Sequence, residues 1–106
     1  MSLFLSSISL HPGEVLADEL LAREEVKSAF AMRIGIYPSD FSDLLKGKRN
    51  ISASIAVRLE KELNIPAEFW LGLEMDYDLH NEREKIALIA GFFLTHMLPY
   101  LNNHQL

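Results

Sequence analysis

Apolar residues recur along this chain at intervals of three and four, with no sustained alternation of apolar and polar positions that would mark a half-buried strand. The pattern predicts an all-α protein. A first helix opens at Pro12, a residue preorganised for the first helical position. It carries Val15, Leu16, Leu20 and Leu21, with Glu14 and Asp18 complementing the positive end of the helix dipole, and fades near Arg23. A second places Val26, Phe30, Ala31 and Ile34 at helical spacing and stops at Gly35. A third follows Tyr37, again with a proline, Pro38, in its first turn; it buries Phe41, Leu44 and Leu45 and stops at Gly47. A fourth is capped by Ser52, presents Ile55, Ala56, Leu59 and Leu63 as one stripe, and ends at Asn64. A fifth starts near Pro66 and contains Phe69, Trp70, Leu71 and Leu73, with Trp70 read as a core anchor.

The second and third helices are each too short to be stable alone and are joined only by Gly35-Ile36-Tyr37. Short helices linked by a tight glycine-containing turn have the geometry of a helix-turn-helix. Charge adds to this picture. The net charge of −5 argues against a nucleic-acid partner on average, but the average hides a segregation. From Lys27 to Lys61 there are seven basic residues and three acidic ones, a local +4, while the rest of the chain carries −9. Such a chain can present a basic face despite its acidic total.

Beyond Glu82-Arg83-Glu84-Lys85, the sixteen residues from Ile86 to Leu101 contain only Thr95 and His96 as clearly polar side chains. About 20 apolar residues are needed to cross a bilayer, so this segment, which also contains Pro99, predicts a helix that packs on protein. Ile86, Ile89, Phe93 and Met97 form one stripe; Ala87, Ala90, Leu94 and Leu98 form another. One stripe is expected to cover its own domain and the other a partner, either a second copy of the chain or a different protein.

Other chemistries fail on spacing. His11, His80, His96 and His104 make no i,i+4 metal pair, no glycine-rich phosphate loop is present, and no serine sits in a nucleophile elbow. Glu74-Met75-Asp76-Tyr77-Asp78 resembles the start of a calcium loop. Leu79 and Lys85 stand where glycine and glutamate are required, so it is read as a solvated turn. The expectation is a non-enzymatic protein without cofactor, metal or membrane. With 106 residues it has room for one core, and without cysteine it needs no oxidising compartment, which points to the cytoplasm. Met1–Leu10 is apolar but has no positive charge ahead of the apolar run, and is expected to be an arm and not a signal peptide.

The run His11-Pro12-Gly13-Glu14-Val15-Leu16, the turn Ile34-Gly35-Ile36, the segment Leu44-Leu45-Lys46-Gly47-Lys48-Arg49 and the string from Glu68-Phe69-Trp70-Leu71 through Tyr77-Asp78-Leu79 carry a resemblance. Together, from His11 to Leu79, they look like the HigA/VapI branch of the Cro/C1-type (XRE) helix-turn-helix family. The resemblance implies a five-helix, lambda-repressor-like domain over residues 11–79. The N-terminal arm (1–10) and an additional apolar C-terminal helix (80–106) would flank it. It also implies a homodimeric DNA-binding regulator that represses its own operon from a palindromic operator and neutralises a ribonuclease toxin of the HigB type. In such a domain the third helix enters the major groove while the second lies across the backbone. The base-facing candidates are then Ser39, Asp40, Ser42 and Asp43, with Tyr37 and Pro38 beside them, and the phosphate contacts are Lys27, Arg33, Lys46, Lys48 and Arg49. Two aspartates are unusual readers, because a carboxylate accepts only, as from cytosine N4, and repels phosphates. The second helix departs too: a Gly-hydrophobic-Ser entrance is here Glu24-Glu25-Val26, without the hydroxyl cap. Two alternatives stand beside the autorepressor: a toxin-neutralising interaction module with weak DNA binding, and a repressor without a toxin. Ile86, Ile89, Phe93 and Met97 would be the dimer or toxin interface.

Overall fold

The computed structural model describes residues 10–103, with side chains through Leu101; all of the expected N-terminal arm except Leu10 lies outside the described residues. Five helices follow one another, α1 (Pro12–Ala22), α2 (Lys27–Arg33), α3 (Pro38–Leu45), α4 (Ala53–Leu63) and α5 (Ala67–Asn103). No strand occurs among the described residues, as the apolar spacing predicts.

Local chemistry places the starts. Pro12 and Pro38 occupy the first turns of α1 and α3, and the Ser52 hydroxyl accepts the Ile55 N–H at 3.2 Å to cap α4. At α1 the cap is an imidazole. The Gly13 N–H donates to His11 Nδ1 at 2.8 Å, and the Glu14 carboxylate accepts the His11 N–H at 3.3 Å, so a histidine takes the part usually played by a hydroxyl in a capping box. As the sequence predicts, α2 has no side-chain cap at Val26.

The first three ends share one geometry. At α2 the Gly35 N–H donates to Met32 O and the Ile36 N–H to Ala31 O. At α3 the Gly47 N–H donates to Leu44 O and the Lys48 N–H to Asp43 O. These are Schellman endings, with Gly35 (φ 75°) and Gly47 (φ 80°) in the left-handed region. α1 ends identically, with the Glu24 N–H on Leu21 O and the Glu25 N–H on Leu20 O, but its left-handed residue is Glu24 (φ 56°). α4 ends at Asn64 (φ 59°), the residue that tolerates this region best after glycine.

Leu16, Leu20, Phe30, Phe41, Leu44, Leu59, Leu63 and Trp70 are fully or almost fully buried in one core, to which every helix contributes. Phe30 and Phe41 meet at 5.6 Å, joining α2 to α3. Each buried ring contributes on the order of 2–3 kcal/mol. Leu21, Val26 and Phe69, read from their spacing as part of the apolar stripes, are exposed.

The C-terminal third differs from expectation. The fifth helix and the additional apolar helix are one 37-residue element that runs through the boundary expected at Leu79. The change in pattern there is a change of side-chain type and not a helix break: Glu82, Arg83, Glu84 and Lys85 are good helix formers, and Lys85 pairs with Glu82 at 3.3 Å. Glu74–Asp78, read as a solvated turn, lies inside this helix. Nor does either apolar stripe cover its own domain. From Asn81 to Leu101 every side chain is exposed except the half-buried Met97, and the molecule extends to 67 Å. Thr95 donates to Gly91 O at 2.9 Å, and His96 Nδ1 bonds Phe92 O at 2.9 Å. Each of these side chains turns a polar atom back onto its own helix, so from Ile86 to Leu98 the helix surface is predominantly apolar.

Glu24→Gly removes the left-handed penalty at the α1 end and adds some unfolded-state entropy; the net expectation is a stabilisation of about 0.5–1 kcal/mol, read as a shifted midpoint in urea denaturation. An unchanged or lower midpoint would show that the Glu24 backbone is not strained.

Candidate nucleic-acid interface

α2 and α3 pack together across Gly35–Tyr37 as a helix-turn-helix, and α1 packs against α3 from the other side. The turn is clamped from α4, because Arg58 Nη1 donates to Ile34 O at 3.2 Å and to Gly35 O at 3.3 Å. Arg58 satisfies carbonyls at the α2 end, a role its place among basic residues did not reveal.

The candidate DNA residues fall into two groups on either side of α3. Lys27, Pro38, Ser42 and Lys46 line one cleft of about 310 Å³, floored by Phe41 and Leu45. Tyr37, Asp40 and Arg49 line another of about 250 Å³, with Arg58. Tyr37, 77% exposed, stands at the N-terminus of α3 beside exposed Pro38 and Ser39. Asp43 is half-buried, and Lys48 is exposed beyond the α3 end.

Three ion pairs change the charge map. Arg49 Nη1 lies 3.2 Å from Asp40 Oδ2, so the first aspartate of α3 is paired with a cation from the following loop. Arg33, expected to contact phosphate, instead clamps Glu62 on α4 and Glu25 before α2, both at 3.0 Å. Its hydrogen bonds to Glu62 and then Glu25 hold the guanidinium still further above its usual range. With two carboxylates on one guanidinium, Arg33 adds no positive charge to the face; sequence distance hid both partners.

This geometry has solved counterparts. The Pseudomonas aeruginosa antitoxin HigA with the higBA promoter superposes with a TM-score of 0.73 at 28% identity, over 78% of this chain and 91% of that one. PA4674 of the same organism, in complex with its operator DNA, superposes with a TM-score of 0.67 at 32% identity, over 71% and 84%. In sequence, Virulence-associated protein I of Dichelobacter nodosus is 32% identical over 85 residues, spanning 76% of this chain and 79% of the relative. The chain belongs to the HigA/VapI branch of the Cro/C1-type helix-turn-helix family. No protein-family model matches it.

The run His11-Pro12-Gly13-Glu14, part of the resemblance to the HigA/VapI branch, gains a physical role here. A Cβ at Gly13 would collide with the carbonyl oxygen of Leu44, at the end of α3. Glycine lets the α1 backbone reach the reading helix. The His11 ring, 4% exposed, sits between Gly47, where an added Cβ would come within 3.4 Å of it, and Tyr77, whose ring it meets edge-on at 4.8 Å. His11 thus seats the start of the basic loop. Glu74 seats its end: it is 8% exposed, and its Oε1 accepts the Ile51 N–H at 2.7 Å. Sequence reading missed Glu74. The signal available was its place on the stripe Ala67, Trp70, Glu74, Tyr77, which turns a carboxylate toward the core.

Lys46, Lys48 and Arg49 therefore stand on a loop pinned at both ends by buried polar side chains. Glu74→Ala leaves the Ile51 N–H unpaired inside the protein and is expected to cost about 1–3 kcal/mol, measured by chemical denaturation. Wild-type stability in that variant would remove the role given to Glu74.

Proposed function

We propose that this HigA/VapI-branch protein is a DNA-binding antitoxin that represses its own operon. α3 lies in the major groove, and Lys27, Lys46 and Lys48 hold phosphates on either side of it. One observation carries the reading: Lys27, Lys46 and Lys48, exposed cations without a carboxylate partner among the described residues, lie beside α3, on a scaffold whose counterparts include an antitoxin solved with its promoter. The protein acts by binding and not by catalysis, in the cytoplasm. Among the described residues, no helix is long and apolar enough to cross a membrane and no group of three metal-binding side chains occurs.

The apolar C-terminal half of α5 is a partner surface, and its occupant is a second copy of the chain. The face of Ile86, Ile89, Phe93 and Met97 is exposed over most of its length, with no charged residue between Lys85 and Leu101, so it is complementary to itself. Two reading helices related by that axis match a palindromic operator. A HigB-type ribonuclease toxin is the further partner that the antitoxin reading requires.

The test is a salt titration of binding to the DNA upstream of the gene. Lys46→Ala with Lys48→Ala lowers the slope of log affinity against log salt by about two, one for each phosphate released. An unchanged slope would refute the phosphate grip. Ile89→Glu with Phe93→Glu yields monomers that bind a half-site but lose the gain from the second; a variant that remains dimeric would move the interface elsewhere.

A further inference from the structure

α3 offers exposed Ser39 and half-buried Asp40, Ser42 and Asp43 and not one arginine, asparagine or glutamine, the side chains that make bidentate contacts to purines. A guanidinium nevertheless stands beside it. Arg49 reaches back from the following loop to place Nη1 3.2 Å from Asp40 Oδ2, in the first turn of the reading helix. Both partners are about half-exposed, at 48% and 46%, so the pair is open to a ligand.

The backbone that carries Arg49 is fixed on both sides. Two residues before it, Gly47 packs on the buried His11 ring; two residues after it, the Ile51 N–H bonds buried Glu74. Lys46 and Lys48 leave the same loop with no carboxylate partner among the described residues, and each is a flexible point charge suited to phosphate. Arg49 differs: its planar fork has five N–H donors, and Asp40 engages Nη1 and restrains the plane.

Building on the DNA-binding reading above, we propose that Arg49 is the base-reading residue of this protein, contacting a guanine through O6 and N7 with the N–H groups that Asp40 leaves free. Asp40 is a positioning residue that holds the guanidinium at the groove-facing end of α3. The acidity of the reading helix then has a use. Paired with Arg49, Asp40 adds no net negative charge toward the phosphates, and in the water-poor groove the pair strengthens as its surroundings lose dielectric screening.

The experiment compares affinities for the upstream duplex and for a scrambled duplex of equal composition and length. Arg49→Lys keeps the charge and loses the fork. It is expected to weaken the upstream duplex by about 10–100-fold, the usual range for one bidentate base contact, and to leave the scrambled duplex within about twofold. Asp40→Ala is expected to weaken the upstream duplex about 10-fold while the scrambled duplex binds as well or better. Asp40→Ala combined with Arg49→Lys should be no worse than Arg49→Lys alone, because the two act as one unit. Replacing guanines of the operator singly with 7-deazaguanine should cost the wild type at one position per half-site and cost Arg49→Lys nothing there. An equal gain for both duplexes in Asp40→Ala would show that Asp40 only repels DNA, and an unchanged ratio in Arg49→Lys would show that Arg49 reads no base; either overturns the assignment. Equal wild-type affinity for both duplexes also overturns it, while the salt slope still reports the phosphate grip. Absence of any wild-type binding refutes the DNA reading itself.

Discussion

The contact on which the rest of this structure depends is the approach of the α1 backbone at Gly13 to the carbonyl of Leu44, too close for any side chain to intervene. It sets the distance between the first helix and the end of the reading helix, and thereby where the chain leaves α3. His11 and Glu14 close the N-terminus of α1 immediately beside it, and the His11 ring continues the contact onto Gly47 and Tyr77. Four consecutive residues thus join α1, α3, the basic loop and α5 at one point. None of them carries a charge suited to DNA, yet the loop presenting Lys46, Lys48 and Arg49 takes its place from them.

A second constraint comes from polar side chains that tie loops and turns to helices, one of them, Glu74, buried. Glu74 gives one oxygen to the Ile51 N–H, and Arg58 caps the carbonyls at the end of α2. Arg33 joins α2 to α4 through Glu62 and to the preceding turn through Glu25. These contacts do little for raw stability where they are exposed. Their effect is on geometry, because each fixes a loop or turn beside α3 at a defined angle. The domain is therefore a mount for one eight-residue helix, and the C-terminal half of α5 extends from it as a long apolar stem. The radius of gyration is 19.7 Å, against about 13 Å for a compact domain of 100 residues, and the difference is that uncovered stem.

The fold was legible in the sequence wherever the governing chemistry is local. Pro12, Pro38 and Ser52 start helices, Gly35, Gly47 and Asn64 end them, and the apolar spacing between them marks the core faces. Features set by distant partners were not legible. The paired Arg33 and Glu62 lie 29 residues apart in the chain. Glu74 read as part of a solvated turn because its partner, the Ile51 N–H, lies 23 residues away. The junction at Leu79 read as a boundary because a change from apolar to charged side chains looks like an end in sequence. In a helix it only changes which surface meets water. The pairing of Asp40 with Arg49 escaped for the same reason, since a carboxylate on a reading helix looks repulsive until its cation is placed.

Docking of the α1 terminus on α3 through Gly13 is tested most directly by comparing Gly13→Ala with Gly72→Ala in chemical denaturation. Nothing lies within 4 Å of a Cβ at Gly72, inside a helix, so alanine there should stabilise by about 0.5–1 kcal/mol. At Gly13 the same methyl must displace the Leu44 carbonyl, and the account predicts a loss of about 1–3 kcal/mol or more, as for other overpacked sites. Equal stabilisation at both positions would contradict it.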